Sequence, residues 1–163
     1  MTFLINPDKL KLEKLVQQKG VYPVAAKNEK QVHLTRAELS IMQILWRSER
    51  PLCGPEIMAI IEKHPEGPAF SRSSYHVLIN DLLAKEYIVA VSGRGHGKHQ
   101  ARAFAPTVTH NEYHAIQITS AELYHPSDIP DLVDSLIKYT DNVDLPELME
   151  KINAVIRERM DQT

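Results

Sequence analysis

The sequence has one cysteine, Cys53, among its 163 residues. A lone thiol cannot form an internal disulfide, and it cannot supply a zinc or copper site built from several thiolates. The apolar runs are only a few residues long, far short of the ~20 that a membrane-spanning helix needs. The first residues carry neither a basic segment nor a long apolar stretch. We therefore expect no signal peptide and a cytoplasmic protein.

Motifs of enzyme active sites are also missing. The sequence contains no nucleophile elbow, no Gly-Lys-Ser/Thr phosphate loop and no His-Glu-x-x-His segment. We expect a protein that is not an enzyme and has no cofactor. With 43% hydrophobic and 25% charged residues, the chain has the composition of an ordinary globular protein that can bury its own core.

Charge is distributed unevenly along the chain. Residues 1–110 carry 15 Lys and Arg against 10 Asp and Glu, whereas residues 111–163 carry 4 against 11. A basic N-terminal part followed by an acidic C-terminal part is typical of a polyanion-binding module joined to a segment with another role. A chance distribution of solvated charges is the alternative.

The chain divides into three predicted segments. Residues 1–32 are interpreted as an N-terminal extension, a short helix followed by a linker, although a poorly ordered terminus explains them equally well. Residues 33–108 are predicted to form a winged-helix DNA-binding domain. Residues 109–163 are predicted to form a helical dimerisation region. The predicted fold class is mainly α with a small antiparallel β wing.

The first helix of the second segment has a clear start signal. Thr35 and Glu38 form a capping box, and the helix is predicted to end near Arg47. Its predicted apolar face consists of Leu39, Met42, Ile44, Leu45 and Trp46.

A short extended piece and a second helix follow the first. Leu52-Cys53 is predicted to be extended, and Gly54-Pro55 opens the helix because proline is tolerated in a first turn. The predicted inner face of this helix consists of Ile57, Ile60 and Ile61.

The third helix has the most regular spacing. Ser71 is predicted to cap it, and its apolar residues recur at i, i+3, i+4, i+7 and i+8. They are Tyr75, Leu78, Ile79, Leu82 and Leu83. Residues 87–91 and 101–105 then read as two strands of a hairpin, with a basic, glycine-rich tip between them. Helix, strand, helix, helix and basic hairpin is the order of a winged helix-turn-helix.

That order predicts contact with DNA. The exposed N-terminal residues of a recognition helix reach base edges in the major groove, so they must hydrogen-bond and must not be acidic. Basic residues of a wing bind phosphates or a minor groove. The predicted DNA-binding residues are Ser71, Arg72, Ser73, Ser74, His76, Val77, Asn80, Arg94, Lys98 and Arg102. The alternative is that this helix face is simply solvated.

The acidic third segment reads as short amphipathic helices. One is predicted from Thr109 to about Tyr124, and others start after Pro126 and after Asp144. About 40 residues are too few to enclose a core alone, so these apolar faces need a partner. A second copy is the simplest partner, because DNA half-sites mirror a two-fold axis. Folding back onto the same chain is the alternative. The predicted dimerisation residues are Leu132, Val133, Leu136, Ile137, Leu148, Ile152, Val155 and Ile156.

Histidines form two local groups. His96 and His99 lie in the predicted wing tip, and His110 and His114 are spaced i, i+4 on a predicted helix. The second pair could share a metal ion, with His125 or Glu112 as a further ligand. Surface histidines without a metal are the favoured interpretation, so no metal site is predicted.

The opening of the second segment resembles the penicillinase-repressor family. Residues 34–46 read Leu-Thr-Arg-Ala-Glu-Leu-Ser-Ile-Met-Gln-Ile-Leu-Trp, close to the family's Ala-Glu…Met…Leu-Trp opening, and the similarity extends over roughly residues 34–160. The resemblance implies a homodimeric repressor on an operator dyad. It also implies a reading helix in which Ser73, Ser74, His76 and Val77 contact DNA. The copper-responsive branch carries Cys-x-Cys pairs, which this chain lacks.

We therefore predict a sequence-specific DNA-binding transcriptional repressor that acts as a homodimer. A winged-helix module whose C-terminal helices bind a different protein is the alternative. The operator, the inducing signal and the role of residues 1–32 do not follow from the sequence.

Overall fold

The computed structural model describes residues 33–64, 70–91 and 102–162. The N-terminal extension and the tip of the wing were interpreted from the sequence, and both lie outside these ranges. Within them the chain forms α1 (Arg36–Arg47), β1 (Leu52–Cys53), α2 (Gly54–Glu62), α3 (Tyr75–Ala84), β2 (Ile88–Val91), β3 (Ala103–Pro106), α4 (His110–Thr119), α5 (Ile129–Lys138) and α6 (Leu145–Asp161). Short 3₁₀ turns, Arg72–Ser74 and Pro126–Asp128, precede α3 and α5.

The strands form one antiparallel sheet in the order β1-β3-β2. β3 is central, and Phe104 lies opposite Leu52 on one side and Ala90 on the other. The predicted hairpin of β2 and β3 is therefore confirmed, and β1 adds a third strand at its edge. Helix, strand, helix, helix, strand, strand is the order of a winged-helix domain, which confirms the predicted fold class.

The predicted capping box starts α1. The Thr35 hydroxyl accepts a hydrogen bond from the Glu38 amide at 3.3 Å, and the Glu38 carboxylate accepts one from the Thr35 amide at 2.7 Å. The buried face of α1 consists of Ile41, Met42 and Leu45. Ile41 was missing from the predicted face, and Leu39, Ile44 and Trp46 only border the core.

One residue of the predicted inner face of α2 is misplaced. Ile57 and Ile61 are buried as expected, but Ile60 is 46% exposed, and Met58 is buried in its place. Three isoleucines in a nine-residue helix fit more than one register, and packing against α1 selects the one that buries Met58. The apolar face of α3 is as predicted: Tyr75, Ile79 and Leu82 are buried.

A buried ion pair joins the start of α1 to the end of α3. The Lys85 ammonium contacts both Glu38 carboxylate oxygens, at 2.7 and 2.8 Å, and donates to the His33 carbonyl at 3.2 Å. The side chains of Lys85 and Glu38 are 19% and 2% exposed. Burial alone raises the pKa of Glu38, but hydrogen bonds from Lys85 and Thr35 outweigh it and hold the pKa below its ordinary value. Both charges are thus compensated where water is largely absent.

An aromatic cluster attaches α4 to the winged helix. The Trp46 indole donates to the Val108 carbonyl at 2.8 Å, and its ring contacts those of His110 and Tyr113. Tyr113 also meets Tyr87 edge to face. Tyr113 and Ile116 are buried, so α4 completes the core of this unit.

The observed division of the chain differs from the predicted one. The chain divides into two compact units, and the boundary lies between Glu122 and Leu123. The sequence analysis placed this boundary at residue 109. α4 also ends at Thr119, before the predicted end near Tyr124. The reason is tertiary: the helix was grouped with the C-terminal helices by its position in the chain, but its buried side chains pack on Trp46 and Tyr87.

The second unit contains α5 and α6 and has no buried side chain in either helix. Asp144 caps α6 by accepting from the Glu147 amide at 3.0 Å, as the sequence indicates. Glu147 pairs with Lys151 at 2.6 Å. In the described ranges no helix is both long and apolar enough to cross a membrane.

Replacing Glu38 tests the buried pair. Glu38→Gln removes the carboxylate charge that the Lys85 ammonium contacts, so we expect a loss of about 3 kcal/mol in the free energy of unfolding. Adding Lys85→Met should restore part of that loss, because it removes the charge that the carboxylate compensated. Urea denaturation of both variants measures this, with the exposed Glu49→Gln as a control that changes stability by less than about 0.5 kcal/mol.

The same pair predicts how stability depends on pH. The pKa of Glu38 is lower in the folded than in the unfolded protein, so its contribution is complete above the unfolded value of about 4.3. It is lost as pH falls through the folded value. Urea midpoints between pH 7 and 3 should therefore decline more steeply for the wild type than for Glu38→Gln. Parallel curves would contradict the assignment.

Candidate nucleic-acid interface

The outer face of α3 and the 3₁₀ turn before it carry most of the residues that the sequence assigned to DNA. Arg72, Ser73, His76, Val77 and Asn80 are all exposed. Val77 is 60% exposed even though it is apolar. The opposite face of the helix is anchored in the core, so the outward orientation is fixed. Asp81 is the acidic residue on this outer surface, and it follows the polar group rather than interrupting it.

A cluster of serine hydroxyls lies at the start of α3. The Ser71 hydroxyl is 2.8 Å from those of both Ser73 and Ser74. Ser71 has the extended backbone of a cap, but its hydroxyl makes no capping hydrogen bond, which differs from the prediction. Ser74 is the N-cap residue of α3, and its side chain makes no capping hydrogen bond either. The first amides are instead bonded within the 3₁₀ turn: the Ser74 amide donates to the Ser71 carbonyl at 3.0 Å, and the Tyr75 amide donates to the Arg72 carbonyl.

The guanidinium of Arg72 has a carboxylate neighbour. Its Nε lies 3.6 Å from Glu62 Oε1, and both side chains are well exposed. An exposed pair of this kind contributes at most about 1 kcal/mol, so Arg72 can exchange Glu62 for a phosphate or a base edge. Sequence analysis missed Glu62, because ten positions in the chain separate the two residues.

A close contact sets how α2 approaches α3. A Cβ added at Gly54 would lie 3.1 Å from the Tyr75 hydroxyl oxygen and 3.2 Å from Cε1 of its ring. The Tyr75 ring is buried, and its hydroxyl has no hydrogen-bond partner among the described residues. Burial raises the pKa of Tyr75 to about 12, so this hydroxyl stays protonated. The absence of a side chain at Gly54 lets the first residue of α3 pack directly against the start of α2.

The start of α2 has a further ion pair. Arg50 contacts Glu56 at 2.6 Å, and the Glu56 carboxylate also accepts from the Cys53 amide at 2.8 Å. These hydrogen bonds lower the pKa of Glu56 to about 2. Glu56 therefore stays ionised and holds the turn between β1 and α2.

The wing contributes less to the described surface than the sequence predicted. Arg102 is exposed directly before β3. Arg94 and Lys98, together with His96 and His99, lie outside the described residues. The predicted phosphate contacts of the wing tip stay predictions.

The second unit exposes many apolar side chains. Of the predicted dimerisation residues, Leu136, Val155 and Ile156 are exposed, and the half-buried remainder is Leu132, Val133, Ile137, Leu148 and Ile152. Other exposed apolar residues of this unit are Leu123, Ile129, Tyr139, Leu145, Met149 and Met160. Leu123 and Tyr139 were not singled out, because they lie outside the periodic positions of the helices. Exposed apolar surface on this scale is typical of an interaction face.

The predicted histidine pair is close together on α4. His110 Nε2 and His114 Nε2 are 3.0 Å apart, and both residues are exposed. Glu112 does not join them, because its carboxylate accepts from the Thr109 amide at 2.6 Å. In the part of the chain that the structure describes, no three His, Cys, Asp or Glu residues come together around a possible metal ion.

Comparison with known proteins adds little to this geometry. No family model and no curated protein matches the chain. A similar solved structure is the ferric uptake regulator Fur of Helicobacter pylori, described as having three functional metal-binding sites. The two are 18% identical with a TM-score of 0.36, over 88% of this chain and 87% of that one. A likeness this weak carries no argument about function, and membership of the penicillinase-repressor family stays a prediction.

The contact between Gly54 and Tyr75 gives a stability prediction. Gly54→Ala should destabilise the protein by about 1–3 kcal/mol, because the buried ring cannot withdraw from the added methyl group. Tyr75→Phe should be neutral or stabilising, because it removes a buried hydroxyl without a partner. In the double variant the loss should be smaller than the sum, since the closest atom is gone. Urea denaturation of the four proteins measures this, and strict additivity would refute the contact.

Proposed function

We propose that this protein is a sequence-specific DNA-binding transcriptional repressor that acts as a homodimer on a two-fold symmetric operator. One observation carries the proposal. A winged-helix domain presents a third helix whose inner face is buried and whose outer face exposes His76 and Asn80, while the turn before it exposes Arg72 and Ser73. In helix-turn-helix proteins this helix lies in the major groove, and its N-terminal residues contact base edges.

The chemistry of this face suits DNA. Arg72 can bind guanine bidentately, Asn80 can bind adenine, and Val77 can contact a thymine methyl. The serine hydroxyls at the start of α3 can donate to phosphate oxygens, which positions the helix without reading sequence. In the unbound protein the Ser71 hydroxyl lies 2.8 Å from the hydroxyls of Ser73 and Ser74, so these exposed groups hydrogen-bond one another.

The exposed apolar residues of α5 and α6 support the homodimer. Two short helices leave Leu136, Val155 and Met160 in water. Burying such side chains against a second copy contributes about 25 cal/mol for each Å² removed from water. A two-fold pair of reading helices then matches a palindromic operator, with half-sites one helical turn apart.

Paired substitutions on the reading helix test DNA recognition. Arg72→Ala with His76→Ala should weaken binding to operator DNA at least about ten-fold, which is a loss of about 1.4 kcal/mol or more, while binding to an unrelated duplex changes less. The matched control is His33→Ala with Arg36→Ala, which removes the same residue types near the other end of α3. Fluorescence anisotropy measures binding to the protein's own upstream DNA and to an unrelated duplex, each at about 50 and about 200 mM salt. The comparison separates sequence-specific binding from salt-dependent phosphate binding.

Each outcome of that measurement decides between the proposed functions. Tight binding to the upstream DNA that the reading-helix variant loses and the control keeps supports a sequence-specific repressor. Equal, weak binding of the wild type to both duplexes would mean that only sequence-independent contacts with phosphates contribute to binding. It would favour the alternative, a winged-helix module whose C-terminal helices bind a different protein.

A matched pair of substitutions on α5 tests the dimer. Leu136 is 62% exposed, and its neighbour Ser135 is exposed on an adjoining face. Leu136→Asp should convert a dimer into a monomer, because it places a charge in the apolar interface. Ser135→Asp, which has the same helix propensity and charge, should leave the dimer intact. Light scattering after size exclusion measures the mass, and a wild-type monomer would contradict the proposal.

A further inference from the structure

The histidine pair on α4 is built more rigidly than its exposure suggests. The capping box of Thr109 and Glu112 fixes the first turn of the helix. The His110 ring meets Trp46 edge to face at 5.0 Å, and the Trp46 indole is held by its bond to the Val108 carbonyl. His114 in turn contacts both His110 and the buried Tyr113. Both imidazoles are thus held in place before any ligand arrives.

The separation of the two nitrogens fits a shared metal ion. Nε2 of His110 and Nε2 of His114 are 3.0 Å apart. With metal–nitrogen bonds of about 2.0–2.1 Å, this separation corresponds to an angle of about 95° at the metal. That is close to the right angle between neighbouring ligands in a square-planar or octahedral site, the geometry of Cu²⁺ and Ni²⁺ with nitrogen ligands. A tetrahedral ion would need the two rings to move apart by a few tenths of an ångström.

We propose that His110 and His114 together bind one late first-row divalent metal ion, and that Cu²⁺ binds most tightly. Two imidazoles are the protein ligands, and water completes the coordination sphere on the exposed side of the helix. Imidazole nitrogens suit copper and nickel, and affinity across this series rises to Cu²⁺. The site is separate from the outer face of α3, so it does not depend on the function proposed above.

Trp46 provides a reporter for this site. It is the one tryptophan of the chain, so all indole emission comes from a ring 5.0 Å from His110. A paramagnetic Cu²⁺ ion held by His110 Nε2 lies close enough to quench that emission strongly.

The experiment is a titration of the full-length protein with Cu²⁺ while the tryptophan emission is recorded. We expect saturable quenching at one equivalent per chain, reversed by EDTA. His114→Gln keeps the contact between His110 and Trp46 but removes one ligand. The Cu²⁺ concentration at half-maximal quenching should therefore rise at least ten-fold. His110→Gln should have the same effect, and the double variant, which keeps neither ligand, should show no saturable quenching.

His33→Gln is the matched control, because it removes an exposed histidine outside the pair and should titrate like the wild type. Circular dichroism confirms that each variant remains helical before titration. Quenching that rises linearly without saturating, that EDTA does not reverse, or that survives in His114→Gln would overturn the proposal. The two rings would then be no more than a hydrogen-bonded pair.

Discussion

The buried pair of Glu38 and Lys85 is the constraint on which the presentation of α3 depends. Glu38 caps the start of α1, and Lys85 follows the last residue of α3, so one interaction ties the two helices together. Neither charge is stable in the core alone, because an unpaired buried ion costs several kcal/mol. The two helices must therefore meet in a single register, and that register leaves the outer face of α3 in water.

The aromatic cluster around Trp46 extends the same core beyond the sheet. The Tyr113 ring packs against the rings of Trp46 and Tyr87, and this contact makes α4 part of the first unit. Burial raises the pKa of Tyr87 to about 12 and keeps its hydroxyl neutral within the cluster. A helix that looks like part of a C-terminal region is thus a structural part of the winged helix, and its exposed side carries the histidine pair.

The two units differ in how far they bury their apolar side chains. The first buries a continuous cluster contributed by α1 to α4 and the sheet. The second has two helices without a buried side chain, so its apolar residues remain in water in a single chain. Such a surface carries a free-energy cost until another surface covers it. This contrast is the physical reason to expect that the second unit associates, and the proposed dimer is the simplest form of that association.

Local interactions determined what the sequence by itself made predictable. Capping boxes act within four residues and apolar spacing within eight, so the starts of α1, α4 and α6, the buried face of α3 and the hairpin could all be read from the chain. Long-range packing decided the rest. Only tertiary structure buried Met58 rather than Ile60, moved α4 into the first unit and paired Arg72 with Glu62. Those outcomes depend on which surfaces meet, and residues distant in the chain decide that.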